Sequence, residues 1–402
     1  MARHKADWSE LYPELLISIA DKLQTRDDFR HFRSVCKKWR SSIPQIPQNL
    51  PLLSPIFPHK FSHLPPSLSK YGCNSLKIVV NCTFLLRKQN PNPNVNPSPF
   101  PFKPWLITIE ELNPGKLLIR KPLRRDSIIM PGNLNFPKVL DLSGYSVKEI
   151  CRAYNFRGGY IPINSKVVLF FNPESVSMSV DDCYALALNH KGVLTYLRLK
   201  DEDDYGSLRY SRVSCFDDVV NYKGAIWVVD RKGRAYVIPY DTTHLSLVLF
   251  ANDTVCTGYI GDTRKRLVES SEGLYLIDRY HYDELIKFRV YKLNEAERKW
   301  SEIKNLDGRI LFVSSDCCFF ASAEDFPGWR GNCILFPKGH FPSYYDSIYP
   351  DDFYFKGADK ELEVGVFHLD NGASALISTY PGMSKIFWPP PWWLFLDTCP
   401  SW

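Results

Sequence analysis

His59 and His63 stand four residues apart, a spacing that could suit two imidazole ligands of one metal ion. The pair lies in a proline-rich stretch rather than on a helix, and no further ligands lie nearby, so no metal or other cofactor is expected. The eleven cysteines include no C-x-x-C pair, and adjacent Cys317 and Cys318 are poorly placed to share a structural zinc. Carboxylates cluster at Asp181-Asp182 and at Asp201-Glu202-Asp203-Asp204, but neighbouring acids in turns usually face water. Acid–base hydrolysis of a glycoside needs two acids facing each other across a substrate, which no pattern here indicates. His190 and His244 fit turn or strand positions better than the role of a base. The chain contains no P-loop, no G-x-S-x-G and no G-x-G-x-x-G. The expectation is a protein that performs no chemistry itself.

Binding is the better prospect. Aromatic and arginine side chains are common interface anchors. They gather in three loop-like stretches, Phe156–Tyr160, Tyr280–Asp283 and Phe326–Arg330, with Arg157, Tyr160, Tyr282, Trp329 and Arg330 as the candidate target-binding residues. The basic cluster Arg120, Lys121, Arg124 and Arg125 reads as a solvated loop. A net charge of +6 over 402 residues is too mild to argue for nucleic acid.

These residues must be positioned by two unlike regions. Over 13–43, Leu15, Leu16, Ile19 and Leu23 recur at helical steps after Pro13, a residue suited to a first turn. Thr25 followed by Asp28 resembles a capping box opening a second helical stripe of Phe29, Phe32, Val35, Cys36, Trp39 and Ile43. Arg26, Arg30, Arg33, Lys37, Lys38 and Arg40 lie between them, as a solvated face or as a steering surface for an acidic partner. Residues 44–72 form a linker with seven prolines, and 90–104 is a Pro/Asn loop.

From residue 73 to 396 the pattern is short β-runs broken by Gly, Asp, Asn or Pro turns: LKIVV, WLITI, VVLFF, YALAL, AIWVV, AYVIP, LYLID, FRVYKL, ILFV and CILF. Ile226–Asp230 is echoed 48 residues later by Leu274–Asp278, near a propeller-blade period of about 50. Val290–Leu293, a polar turn and Trp300 fit a blade's third and fourth strands. The fold expected is multidomain, α plus all-β: a three-helix module over 7–43 and a kelch-like β-propeller of six or seven blades. Trp388–Trp393 reads as a rigid strap on the last blade rather than a polyproline ligand.

Hydrophobic residues at 45% and charged residues at 23% suit a folded protein. The first residues hold no apolar segment like a secretory signal, and no uncharged apolar run reaches membrane-spanning length. A cytoplasmic or nuclear protein with no membrane partner is expected, its cysteines kept as thiols. The N-x-S/T matches at Asn81 and Asn252 are read as chance.

Trp8-Ser-Glu-Leu11-Tyr-Pro13-Glu14-Leu15-Leu16, then Ile19, Leu23, Asp28-Phe29 and Val35-Cys36-Lys37-Lys38-Trp39-Arg40, resembles an F-box at both ends. The family's Leu-Pro is Leu11-Tyr12 here, with proline one place later. KPWLITIEE, FPKVLDLSGYSVKEI, LVESSEGLYLIDR, FRVYKLNEAERKWSEIKNL, DFPGWRGNCILFPKG, GVFHLDNG and FWPPPWWL are similar to segments of a plant F-box family with a C-terminal kelch-related β-propeller. The resemblance implies a substrate-receptor subunit of an SCF-type ubiquitin ligase. It would dock a Skp-family adaptor, and through it a cullin, while the propeller binds an unknown protein substrate. Leu11, Pro13, Leu15, Leu16, Ile19, Leu23, Val35 and Trp39 are the adaptor candidates. The alternatives are a propeller that sequesters or inhibits a partner independently of a ligase, and, less favoured, a propeller enzyme.

Overall fold

The structure is a computed structural model. It describes residues 8–20, 23, 26–42, 57, 59–61, 76–88, 104–120, 122–123, 145–158, 161–162, 165–171, 183–189, 191–201, 204–210, 215–239, 245–255, 264–282, 285–314, 317–338, 364–380, 383 and 386–387.

Three helices open the chain: α1 (Pro13–Ala20), α2 (Arg26–Ser34) and α3 (Lys37–Ser42). Pro13 is the first helical residue, and the Tyr12 carbonyl accepts from the Leu15 and Leu16 N–H groups. The displaced proline therefore starts a regular turn. Leu16, Ala20, Phe29 and Phe32 are buried. The Phe32 and Trp39 rings lie 4.6 Å apart, and the Trp39 indole donates to the Trp8 carbonyl at 3.0 Å. The guanidinium groups of Arg33 and Arg40 donate to each other's backbone carbonyl, which pins α2 to α3.

The strands then form one ten-stranded sheet, which divides into two blades, two sheets of four and one of five. The first blade takes β2 (Leu76–Lys88), β3 (Trp105–Asn113), β4 (Lys116–Arg120) and β5 (Tyr145–Gly158), with β1 (His59–Lys60) paired to β2 and β6 (Ile161–Pro162) to β5. The second holds β7 (Ser165–Phe171), β8 (Cys183–Asn189), β9 (Leu194–Arg198) and β10 (Tyr205–Leu208), joined to the first by a single Tyr154–Val167 bridge. The third holds β11 (Phe216–Tyr222), β12 (Ala225–Asp230), β13 (Ala235–Ile238) and β14 (Val248–Ala251). The fourth holds β15 (Arg264–Ser270), β16 (Gly273–Tyr282), β17 (Leu285–Asn294) and β18 (Lys299–Ile303). In the fifth the spatial order is β20 (Cys318–Ser322), β19 (Arg309–Val313), β21 (Cys333–Pro337), β22 (Val364–His368) and β23 (Ser374–Leu376).

Each of the ten β-runs picked out in the sequence is a strand. The echoed segments Ile226–Asp230 and Leu274–Asp278 are the second strands of successive blades, and Val290–Leu293 and Trp300 lie on third and fourth strands. Successive residues of these runs face opposite neighbours. Leu274 and Leu276 pack toward the third blade, Tyr275 and Ile277 toward the fifth. A strand between two neighbouring sheets is apolar on both faces, which is why the runs are continuous rather than alternating.

Five apolar clusters fill the seams between consecutive blades, and one of them joins the fifth to the first. Strands β5, β7, β11, β15 and β20 touch in that order and β20 touches β5, so the sheets form a ring. Among the described residues there are five such units, against six or seven expected from length. Long connections account for the difference: the first blade draws its strands from residues 76–158 and the fifth from 309–376. Phe57 and residues 59–61, expected as linker, belong to the propeller, because Phe57 and Phe61 are buried between the first and second blades. The two-residue turn Lys223-Gly224 has positive φ at both positions, the hairpin geometry that matches strand twist.

Candidate functional site

The helical module separates its apolar side chains sharply. Leu16 is 0% exposed, whereas Leu15, Ile17, Ile19 and Val35 stay in water at 51%, 47%, 39% and 54%. Tyr12 and Trp8 are exposed beside them in the chain, Pro13 is exposed, and Leu11, Leu23 and Trp39 are partly buried. Leu16 is thus not the surface residue expected: one helical step from Leu15 turns it onto the face that closes the small core with Ala20, Phe29 and Phe32. What remains outside is an apolar surface on a module too small to spare it.

The loop candidates on the propeller do not converge. Tyr282, 63% exposed, and Leu285 form the tip of the long β16–β17 hairpin, beside the Arg264 end of β15. Arg330 is exposed and Trp329 partly buried against Tyr380, in the turn before β21. That turn is tied to Arg309 by the Asn332 N–H, and Arg309 reaches Ser270 at the other end of β15. A seven-residue strand separates the two groups by roughly 20 Å. Tyr160 and Trp388–Trp393 lie outside the described residues, as do Thr25, His63, His190, His244, Glu202, Asp203, Lys121, Arg124, Arg125 and the Asp181-Asp182 pair.

Arg157 is not a loop anchor. It is 4% exposed on β5 and forks onto Glu110 of β3 at 2.5 and 2.6 Å. Arg120, placed by charge pattern in a solvated loop, is also 4% exposed and pairs with the same carboxylate. Burying a guanidinium demands a matched acceptor, and Glu110, 47 residues before Arg157, supplies it.

A second buried charge system escaped the sequence reading. Asp217 and Asp218 open β11, where the register to β12 shifts between Phe216 and Asp218. Asp217 accepts the Lys265 N–H at 3.0 Å and Asp218 the Leu267 N–H at 2.8 Å, alternate donors on the edge of the fourth blade. Lys166 of the second blade reaches Asp218 at 2.7 Å, and Arg264 reaches Asp217 at 3.1 Å. Two carboxylates thus tie three blades and cap an open strand edge. Two acids inside the apolar run FDDVV were the available signal. Asp278, the sequence echo of Asp230, has a different duty. Asp230 caps its own turn, accepting the Lys232 and Arg234 N–H groups, whereas Asp278 holds the fully buried Lys265 at 2.7 Å. Asp218→Asn is expected to cost about 2–3 kcal/mol, since hydrogen bonds to a charged acceptor are the strong ones. Chemical denaturation against wild type reads this directly, and a loss under about 0.5 kcal/mol would contradict it.

Between the first and fifth blades lies a cavity of about 30 Å³, lined by Asn81, Thr83, Asn155, Ser314 and Cys317 among others. Neither amide atom of the buried Asn81 finds a partner among the described residues, and the volume would admit about two waters. Burial also removes Asn81 as a glycan acceptor in the folded chain. Among the described residues no three His, Cys, Asp or Glu side chains gather closely enough to hold a metal ion, and no helix is long and apolar enough to cross a membrane. His59 stands edge-on to Phe61.

This arrangement, three helices and then a ring of sheets, is matched by two family models. The F-box domain model covers residues 8–47, and the KIB1-4 beta-propeller model covers residues 97–368. The chain belongs to the KIB1-4 beta-propeller family and carries an F-box. Among its relatives is the F-box protein SKIP23 of Arabidopsis thaliana, 28% identical, the match covering 96% of this chain and 95% of that protein. F-box protein At2g17036 of the same plant is 27% identical over the same shares. A structure titled putative TolB from Agrobacterium tumefaciens aligns at 13% identity over 54% of this chain and 70% of its own, with a TM-score of 0.26, too low to bear on the fold. An F-box supports a substrate-receptor role in general and implies a Skp1-like adaptor in general.

Proposed function

We propose that this KIB1-4 family chain is the substrate receptor of an SCF-type ubiquitin ligase, with the F-box docked on a Skp-family adaptor and a target protein held by the propeller. The observation that carries the reading is that Leu15, Ile17, Ile19 and Val35 are left in water by a module whose core closes without them. Burying four such side chains against a partner contributes about 6–10 kcal/mol before association costs. The chain supplies proximity: the adaptor and, through it, a cullin bring the transfer machinery, and the target is presented to it. Leu11, Pro13, Tyr12 and Trp8 extend the docking surface, while Leu16 and Trp39 support it from inside. On the propeller, the exposed Tyr282–Leu285 hairpin tip is the better-placed target contact, because Trp329 packs back on Tyr380. A cytoplasmic or nuclear location fits this role.

Two variants separate surface from core. Leu15→Asp places a charge where only an interface would bury it, and the expected result is at least a hundredfold loss of adaptor affinity with unchanged circular dichroism. Leu16→Asp buries the charge in the module itself and should melt the helices as well. Wild-type chain that binds no Skp-family adaptor would overturn the ligase reading, leaving a propeller that acts alone on its partner.

A further inference from the structure

We propose that Cys151 and Cys317 form a redox latch: a reversible disulfide joining the first blade to the fifth and closing the propeller ring covalently. The ring has five seams. Four are crossed by the chain itself as it passes from one blade to the next. At the fifth, among the described strands, no chain crosses and no blade mixes strands from both ends of the β-region. Among the described residues that seam is held by side chains: an apolar cluster from both blades, and Asp325, which takes Arg87 of β2 and Lys148 of β5 at once.

Two thiols lie in this seam. Cys151 sits on β5 opposite Thr83, and Cys317 immediately precedes β20, the strand that touches β5. Both pack against the same seam cluster, and both are only partly buried. Cys317 also lines the cavity, which Cys151 does not, and the Ser314 hydroxyl oxygen lies 3.8 Å from its sulfur. A small oxidant that enters the cavity therefore meets Cys317. Its neighbour Cys318 is no competitor. It faces the opposite cluster, between the fourth and fifth blades, and burial pushes its thiol up to about 12. The Cys317 thiol beside it, then burial, hold Cys151 well above the usual thiol value, so Cys151 waits as the neutral, resolving partner.

Hydrogen peroxide is the oxidant class the site fits. The Cys317 thiolate attacks one peroxide oxygen, the O–O bond breaks, and one water leaves with the proton taken up, giving a sulfenic acid. The Cys151 sulfur then attacks the Cys317 sulfur. The S–S bond forms, the S–O bond breaks, and hydroxide leaves with the Cys151 proton as a second water. Two thiols lose two electrons in all, and the peroxide gains them. A transient disulfide of this kind is the form expected of a protein from a reducing compartment. The bond spans 151 to 317, and in the chain-entropy account long loops gain most from closure.

The test uses the full chain, reduced and then exposed to hydrogen peroxide, alkylated, and mapped as unreduced peptides. The expected result is a Cys151–Cys317 linked pair, reversed by dithiothreitol, with a thermal midpoint several degrees above that of the reduced protein. Cys317→Ser should abolish both the link and the rise, and Cys151→Ser should leave a trappable sulfenic acid at Cys317. The latch is overturned if both thiols stay alkylatable in wild type, if the link maps to another pair such as Cys317–Cys318, or if the link forms without raising the midpoint. The mapping on wild type stands even if either serine variant fails to fold.

Discussion

A chain ending at Lys338 is expected not to fold its β-region. It would lose β22 and β23 and, from the seam between the fifth and first blades, Val364, Val366, Ile377, Met383, Ile386 and Phe387, all under 9% exposed. Each such side chain contributes about 1.5–3 kcal/mol on burial, so their joint loss is on the order of 10 kcal/mol, as large as the whole stability of a typical protein. The effect exceeds the sum, because the fifth blade keeps β20, the strand that touches β5, but loses six side chains of its seam with the first blade and leaves β21 as an open edge. Circular dichroism and limited proteolysis should show an open, readily cut chain. A chain running from before Phe57 to the C-terminus should fold without the F-box, since Phe57 and Phe61 belong to the seam between the first and second blades. Protease resistance in the shortened chain equal to that of the full β-region would sink the ring architecture.

Glu110→Gln is expected to be the most damaging single substitution in the propeller that leaves its shape almost unchanged. Arg157 and Arg120 are 4% exposed each, and the Glu110 carboxylate is the charge both turn to. Gln keeps the volume and one acceptor but removes the charge, leaving two buried cations without their counter-ion. Breaking a buried pair in this way costs about 3–5 kcal/mol, more than a surface pair could ever return. The denaturation midpoint should fall accordingly, with an unchanged slope. A sharper reading comes from replacing all three residues together by Met. Because burying ions is itself costly, the triple variant should recover much of the loss. A Glu110→Gln protein within about 1 kcal/mol of wild type would show that the two guanidinium groups are neutralised elsewhere.

Much of this protein is legible in its sequence because the signals are local. A three- and four-residue apolar step over 13–23, with Pro13 in front, is enough to make a helix. Four- to six-residue β-branched and aromatic runs between turn residues are enough to make strands, and the 48-residue echo of Ile226–Asp230 in Leu274–Asp278 marks equivalent strands of neighbouring blades. These patterns depend on neighbours a few residues away, so a linear reading finds them.

The assignments that failed depend on partners far along the chain. Leu15 and Leu16 are identical in type and adjacent, and only the packing of the helices, α1 and α2 each against α3, sends one to water and the other to 0% exposure. Arg157, an arginine in a glycine-flanked aromatic stretch, looked like a loop anchor until the sheet set it against Glu110. Asp217 and Asp218 cap N–H groups of a blade 47 to 49 residues ahead, which no local pattern encodes. The number of blades follows from how many residues lie between paired strands, not from length divided by a period. Periodicity determined what each segment becomes; the meeting of distant strands decided which side chains are left to bind, because burial of a charge or an apolar group is a property of the pair in contact and not of either residue alone.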